Sequence, residues 1–197
     1  MQGAEGVSGE NSQAGRAMRL CIGPVIAIVL AGLTNVSCAR SPAREVTAGC
    51  LDSPRGSEGM IQACTTAIGV AGTPADALAL LYNARGEAHC MRREYDLAIP
   101  DQDQAIRLKP GFAQAYVDRA WCYVGKGDKT AAVASCEGAI RSAPRAVDYY
   151  RECARVDNWI GDHDHALVTY DAGIKIGPHV NLLIDERQNP LRSRSVR

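Results

Sequence analysis

The sequence has no surplus of charge. Its 22 Lys and Arg are matched by 22 Asp and Glu, and the balance persists through residues 79–180. Such a chain lacks the basic face that nucleic acid or an anionic surface would require. Aromatics are scarce, at 5% with a single Phe in 197 residues, and the length fits one domain of roughly 100 to 140 residues. None of the eight cysteines, at 21, 38, 50, 64, 90, 122, 136 and 153, forms a CxxC with another, and no His stands at zinc-finger spacing from them. That argues against redox motifs and structural zinc. There is no Ser/His/Asp set in a motif context, no Gly-rich phosphate loop and no carboxylate pair in a recognisable setting. The expectation is a non-enzymatic protein with no catalytic residue, no cofactor and no metal. His163 and His165 lie two residues apart, about 200° around a helix, and so point different ways.

What the chain does have is a period. Pro110, Pro144 and Pro178 are 34 residues apart, and so are Tyr82, Tyr116 and Tyr150. Gly86, Ala120 and Ala154 keep the interval, as do Ala98, Ala132 and Ala166, and Ala105, Ala139 and Gly173. Self-similarity at a fixed interval marks a repeat architecture. The small residues let two helices of one unit approach closely. The tyrosines are expected to fill the space between units, and each proline ends the second helix, which it cannot continue.

The tract YNARGEAHCMRREYDLAIPDQDQAIRLKP resembles the tetratricopeptide repeat family. The likeness covers 79–180, in units 79–112, 113–146 and 147–180. It implies an all-α fold: a right-handed superhelix of three helix-turn-helix units with capping helices at both ends. Three departures stand out. Pro100 falls inside the second helix of unit one, which must start late or bend, since an interior proline costs about 3 kcal/mol. Asp157 replaces the large apolar residue that unit two has as Tyr123, and Gly173 replaces an alanine. Unit three is therefore expected to be the weakest.

Outside the repeats, residues 1–17 are Gly, Ser, Ala and Glu with little to bury, and read as a disordered extension. Arg16 and Arg19 precede an apolar run at 22–33 and small residues at Ser37 to Ala39, the layout of an exported protein's signal at 18–39. The run is too short for a membrane span, which needs about 20 residues. Cleavage after Ala39, lipidation at Cys38 and retention as an anchor all remain open, and Met18 fits as the initiator. Residues 40–56 read as a linker. A helix over 57–71 carries Met60, Ile61, Cys64 and Ile68 on one face and would cap unit one. In an exported chain Cys50 and Cys64 are expected to bond. Cys136 and Cys153 read as small buried hydrophobes. Residues 179–188 read as a capping helix, and 191–197 as a disordered basic tail.

The resemblance also places a concave groove on the first helices. Its positions here include Asn83, Glu87, Cys90 and Met91 in unit one, Asp118 and Trp121 in unit two, and Arg151, Glu152, Arg155 and Trp159 in unit three. One subset of the family holds a terminal carboxylate with Lys and Asn. Asn83 suits that role, but Glu87, Asp118, Asp148 and Glu152 would repel the ligand. Trp and Arg carry a large share of interface energy, so Trp121, Arg151, Arg155 and Trp159 are candidate peptide contacts, with Asn83 bonding the partner's backbone. The competing arrangement packs the indoles between helices and pairs the arginines with Asp148 and Glu152. The expected partner is a protein or peptide, and the expected place is the bacterial periplasm or envelope.

Overall fold

The computed structural model describes residues 42–177, with 186 and 187. The extension, the signal with Cys38 and the basic tail lie outside the described residues, as does the expected C-terminal cap except for Glu186 and Arg187. Eight helices run in order among them: α1 (Pro42–Leu51), α2 (Glu58–Ile68), α3 (Ala75–Met91), α4 (Tyr95–Leu108), α5 (Ala113–Lys126), α6 (Lys129–Ser142), α7 (Val147–Ile160) and α8 (His163–Ile174). Each packs on the next, and α3, α5 and α7 also touch in succession. The odd-numbered helices thus form one layer and the even-numbered helices the other. The core is a string of small clusters, each spanning two or three neighbouring helices, as expected of a quasi-one-dimensional array.

The small columns occupy the helix contacts. Ala98, Ala132 and Ala166 are 0%, 0% and 1% exposed. A β-carbon on Gly86 would come within 3.1 Å of the Ala98 carbonyl oxygen and 2.9 Å of the Gln102 amide. In the tyrosine column, Tyr116 lies flat enough on α6 that a β-carbon at Gly138 would overlap its ring, and it packs against the cluster that includes Cys153 and Val156 of unit three; the Tyr150 hydroxyl donates to the Pro144 carbonyl of unit two at 3.1 Å. Arg85 stacks on Tyr82 and Arg119 on Tyr116, at 5.4 and 5.3 Å from the ring centres. Arg85 also grips Asp101 at 2.7 and 2.8 Å, which holds its guanidinium above its ordinary pKa. Arg119 donates to Ser135, one period after Asp101, and reaches back to Asp103 of unit one.

One expectation needs correction, and one pair of alternatives is narrowed. Residues 40–56 are not simply a linker: α1 fills 42–51 and pairs with α2, and a disulfide joins Cys50 to Cys64 with Cα atoms 4.6 Å apart. Cys64 stands one period before Ala98, so α1 and α2 form a reduced unit ahead of unit one. Ser57 caps α2 by accepting from the Met60 N–H at 3.1 Å, one of the donors a helix start leaves unpaired. In addition, α4 does not start late. It begins in register with α6 and α8 and carries Pro100 inside, on an exposed face. Only the carbonyl of Asp96, four residues back, is left without its helical donor.

The turns between paired helices reveal a sixth column. Gly127 and Gly161 take φ of +84° and +88°, and Asp128 and Asp162 cap α6 and α8. In unit one this Gly-Asp pair is Arg93-Glu94. Arg93 holds φ of +63° despite its β-carbon, a conformation that costs about 1–2 kcal/mol. Glu94 does not cap α4; it binds His89 at 2.7 Å and Arg92 at 2.9 Å.

Asp157 is buried in unit three. Its Oδ2 meets His165 Nδ1 at 2.9 Å and accepts from Thr169 at 3.2 Å. Burial pushes its pKa above the usual carboxylate value, against the pull of His165. Protonation therefore stabilises the folded state. The contribution is complete below the ordinary value of 3.8 and is lost as pH rises through the raised folded value.

Three outcomes are expected. Arg93→Gly should raise stability by about 0.5–1 kcal/mol, the relief of the left-handed strain less the added freedom of the unfolded chain, read by urea unfolding. Gly138→Ala should lower it by about 1–3 kcal/mol despite better helix propensity, and Tyr116→Ala in the same chain should remove most of that difference. Asp157→Asn should alter the pH dependence: wild-type stability measured against this variant should rise as pH falls from 7 toward 4.

Candidate functional site

The odd-helix layer bears a cleft of about 600 Å³ between α3 and α5. Glu87, Cys90 and Met91 line it from α3, Asp118 and Trp121 from α5, Tyr95 from the start of α4, and Arg55 from the loop between α1 and α2. Two features fix its walls. A second disulfide joins Cys90 to Cys122, with Cα atoms 5.5 Å apart, and ties α3 to α5 at the cleft. The Tyr95 ring lies over Gly125, where any β-carbon would overlap it. Met91 is 58% exposed, so the cleft offers a soft apolar wall.

The polar groups there are already engaged with one another. Arg55 pairs with Glu87 at 3.3 Å. Asp118 accepts from the amides of Asn83 at 2.9 Å and Gln114 at 2.8 Å. Asn83 is 8% exposed and spends its amide donor on Asp118, while its Oδ1 is buried with no hydrogen bond.

None of the unit-three candidates is among the residues that line this cleft. Trp159 is 46% exposed and meets Trp121 edge to face, with ring centres 6.2 Å apart, a favoured aromatic geometry. Arg155 bonds Glu152 at 2.9 and 3.2 Å. Arg151 reaches Asp148 and Glu152, each at 3.6 Å. The indoles therefore form a continuous step from α5 to α7, and the arginines lie in pairs along α7. Glu87, Asp118 and Trp121 are brought together in one cleft; Arg151 and Arg155 are not among its lining residues.

Sequence reading missed Arg55 and Tyr95 as cleft residues. Arg55 was hidden in a stretch taken as linker. Tyr95 has no counterpart one period on, where Lys129 stands; only Gly125, its seat, could have signalled it. The link between Cys90 and Cys122 left no trace in spacing, since it joins positions 32 apart rather than a motif. His163 and His165 have separate partners, Asn158 at 3.0 Å and Asp157. Among the described residues no cluster of three or more His, Cys, Asp or Glu could hold a metal, and no helix is long and apolar enough to cross a membrane.

Comparison with known proteins places this geometry. The tetratricopeptide repeat family pattern matches residues 113–145. The chain is 29% identical over 101 residues to the Hsp70-Hsp90 organizing protein of Triticum aestivum, covering 51% of this chain and 17% of that one. It is 30% identical over 97 residues to the outer dynein arm-docking complex subunit 4 of Mus musculus, covering 49% and 16%. The chain thus spans under a fifth of the length of either relative. The crystal structure of MamA is similar at a TM-score of 0.46 and 22% identity, over 68% of this chain and 85% of that one. Unit two thus matches the tetratricopeptide repeat pattern, and the same helix pair recurs one period to either side.

Proposed function

We propose that the chain is a non-enzymatic interaction module that holds an extended peptide, or a protein segment, along its odd-helix face. The observation that supports this most is the cleft of about 600 Å³ bounded by Trp121, Met91 and Tyr95 and edged by the Arg55–Glu87 pair. An indole at the centre of a partly apolar, partly charged recess is the usual composition of an energetic hot spot. The second indole, Trp159, extends the recess toward unit three, and Arg151 and Arg155 are its charged margin. The name of the wheat relative speaks of Hsp70 and Hsp90, but a terminal carboxylate is a poor ligand for this cleft. Glu87 and Asp118 face it with negative charge, and one Asn83 N–H is already given to Asp118. An internal segment with apolar and amide groups suits it better.

The module works outside the cytoplasm in this reading, in the envelope of a bacterium. The support is the signal-like layout of 18–39 together with two disulfides, which persist in oxidising compartments. Any membrane attachment runs through that N-terminal region, by lipid on Cys38 or by retention of the signal, and nucleic acid is not a partner.

A peptide selected against the full chain from a random display library tests the groove. Trp121→Ala should weaken its binding at least tenfold, and Arg155→Ala about three- to tenfold, by titration calorimetry, the loss typical of central and marginal interface residues. Unchanged affinity in both variants overturns the groove reading. Crosslinking in intact cells, with the mature N-terminus sequenced from the same sample, tests the location.

A further inference from the structure

Six cysteines lie among the residues whose side chains are described. Four are paired: Cys50 with Cys64, and Cys90 with Cys122. The remaining two, Cys136 in α6 and Cys153 in α7, are both buried, at 3% and 1% exposure. They face each other across the junction of units two and three. The Cys153 thiol lies 3.4 Å from the Cys136 carbonyl oxygen and donates to it. Both belong to one cluster with Val117, Ala120 and Val156. The helices α6 and α7 pack on each other and both cysteines line one small recess between them; a bond there requires β-carbons about 3.5–4.5 Å apart.

We propose that Cys136 and Cys153 are a third disulfide site, closed when the chain folds under oxidising conditions. The first bond lies within the α1–α2 pair, the second joins unit one to unit two, and the third would join unit two to unit three. Trp121 on α5 and Trp159 on α7 meet across that same junction, so the bond would also fix the spacing of the two indoles. The chemistry needs a disulfide oxidant, such as glutathione disulfide. One cysteine thiolate attacks a glutathione sulfur and expels a glutathione thiolate. The second cysteine thiolate then attacks the mixed disulfide and expels the other. Two protein thiols and one glutathione disulfide become one protein disulfide and two glutathione thiols, each leaving thiolate taking up one of the two protons released. Both thiols are buried, at 3% and 1% exposure, so glutathione disulfide does not reach them once the junction is packed. The bond therefore forms during folding, not by oxidation of the finished fold.

The test is a cysteine map of the full chain. Reduced, unfolded protein is refolded in a buffer of reduced and oxidised glutathione, its free thiols are alkylated, and its peptides are mapped without reduction. The expected result is a linked peptide pair carrying Cys136 and Cys153, with neither residue alkylated. A map in which both are alkylated while Cys50–Cys64 and Cys90–Cys122 are linked overturns the proposal. So does a map in which either is bonded elsewhere, or in which no bond forms. A Cys136→Ser/Cys153→Ser chain should keep the other two bonds and unfold at lower urea than the oxidised wild type; an equal midpoint would also count against the site. The map reads a bond and not a ligand, so the groove reading stands or falls separately.

Discussion

Everything in this chain depends on how closely two helix backbones approach within a unit. The approach is set by residues with little or no side chain: Ala98, Ala132 and Ala166 on one helix, Gly86, Ala120 and Ala154 on the other. Each is fully or almost fully buried. Small residues bring little hydrophobic area per position, about 25 cal/mol for each Å² removed from water. Stability must therefore come from the number of contacts that close packing allows along the helices, and from specific pairs between them. Stacking of Arg85 on Tyr82 and Arg119 on Tyr116 adds such pairs. The reach of Arg119 to both Asp103 and Ser135 binds unit two to unit one as well as to itself.

The units are copies in geometry but not in chemistry. Unit two follows the pattern best, with glycine and aspartate at its turn, and it is the unit the family pattern matches. Unit one has replaced that turn with Arg93-Glu94, carries Pro100 in its second helix and gains a disulfide to unit two. Unit three keeps the turn but accepts a buried acid at Asp157. Its burial is offset by His165 and Thr169, a polar solution where unit two uses an aromatic ring. Strain in one place and covalent or polar compensation in another is what divergence of repeats looks like when the helix spacing itself cannot change.

The period was legible in the sequence because each column reports a steric demand that only a few residue types meet. Five columns sufficed for the helix pairs of the three units and for the layer order. The sixth, Gly127 and Gly161, was masked because Arg93 breaks it. The α1 helix was hidden by proline and glycine on both sides, although Cys64 stands in the Ala98 column. The site was less legible. Side-chain columns name the face of a helix but not what the side chain meets there. The pairing of Arg155 with Glu152 was one of two arrangements the sequence left open; that Asn83 turns to Asp118 and that Tyr95 crosses to Gly125 are choices among neighbours that depend on distances no single-chain pattern encodes.

The link between Cys90 and Cys122 has a mechanical consequence. Stacked helix pairs held mainly by nearest-neighbour contacts unzip one at a time when their ends are pulled. Here the stretch between the two cysteines, which stand 32 positions apart, cannot pay out as slack, because the load passes through sulfur and bypasses it. About 110 Å of potential extension is thereby withheld, at roughly 3.4 Å per residue. A protein anchored at one terminus and tugged at the other would lengthen outside this span, while the cleft between α3 and α5 stayed clasped under tension.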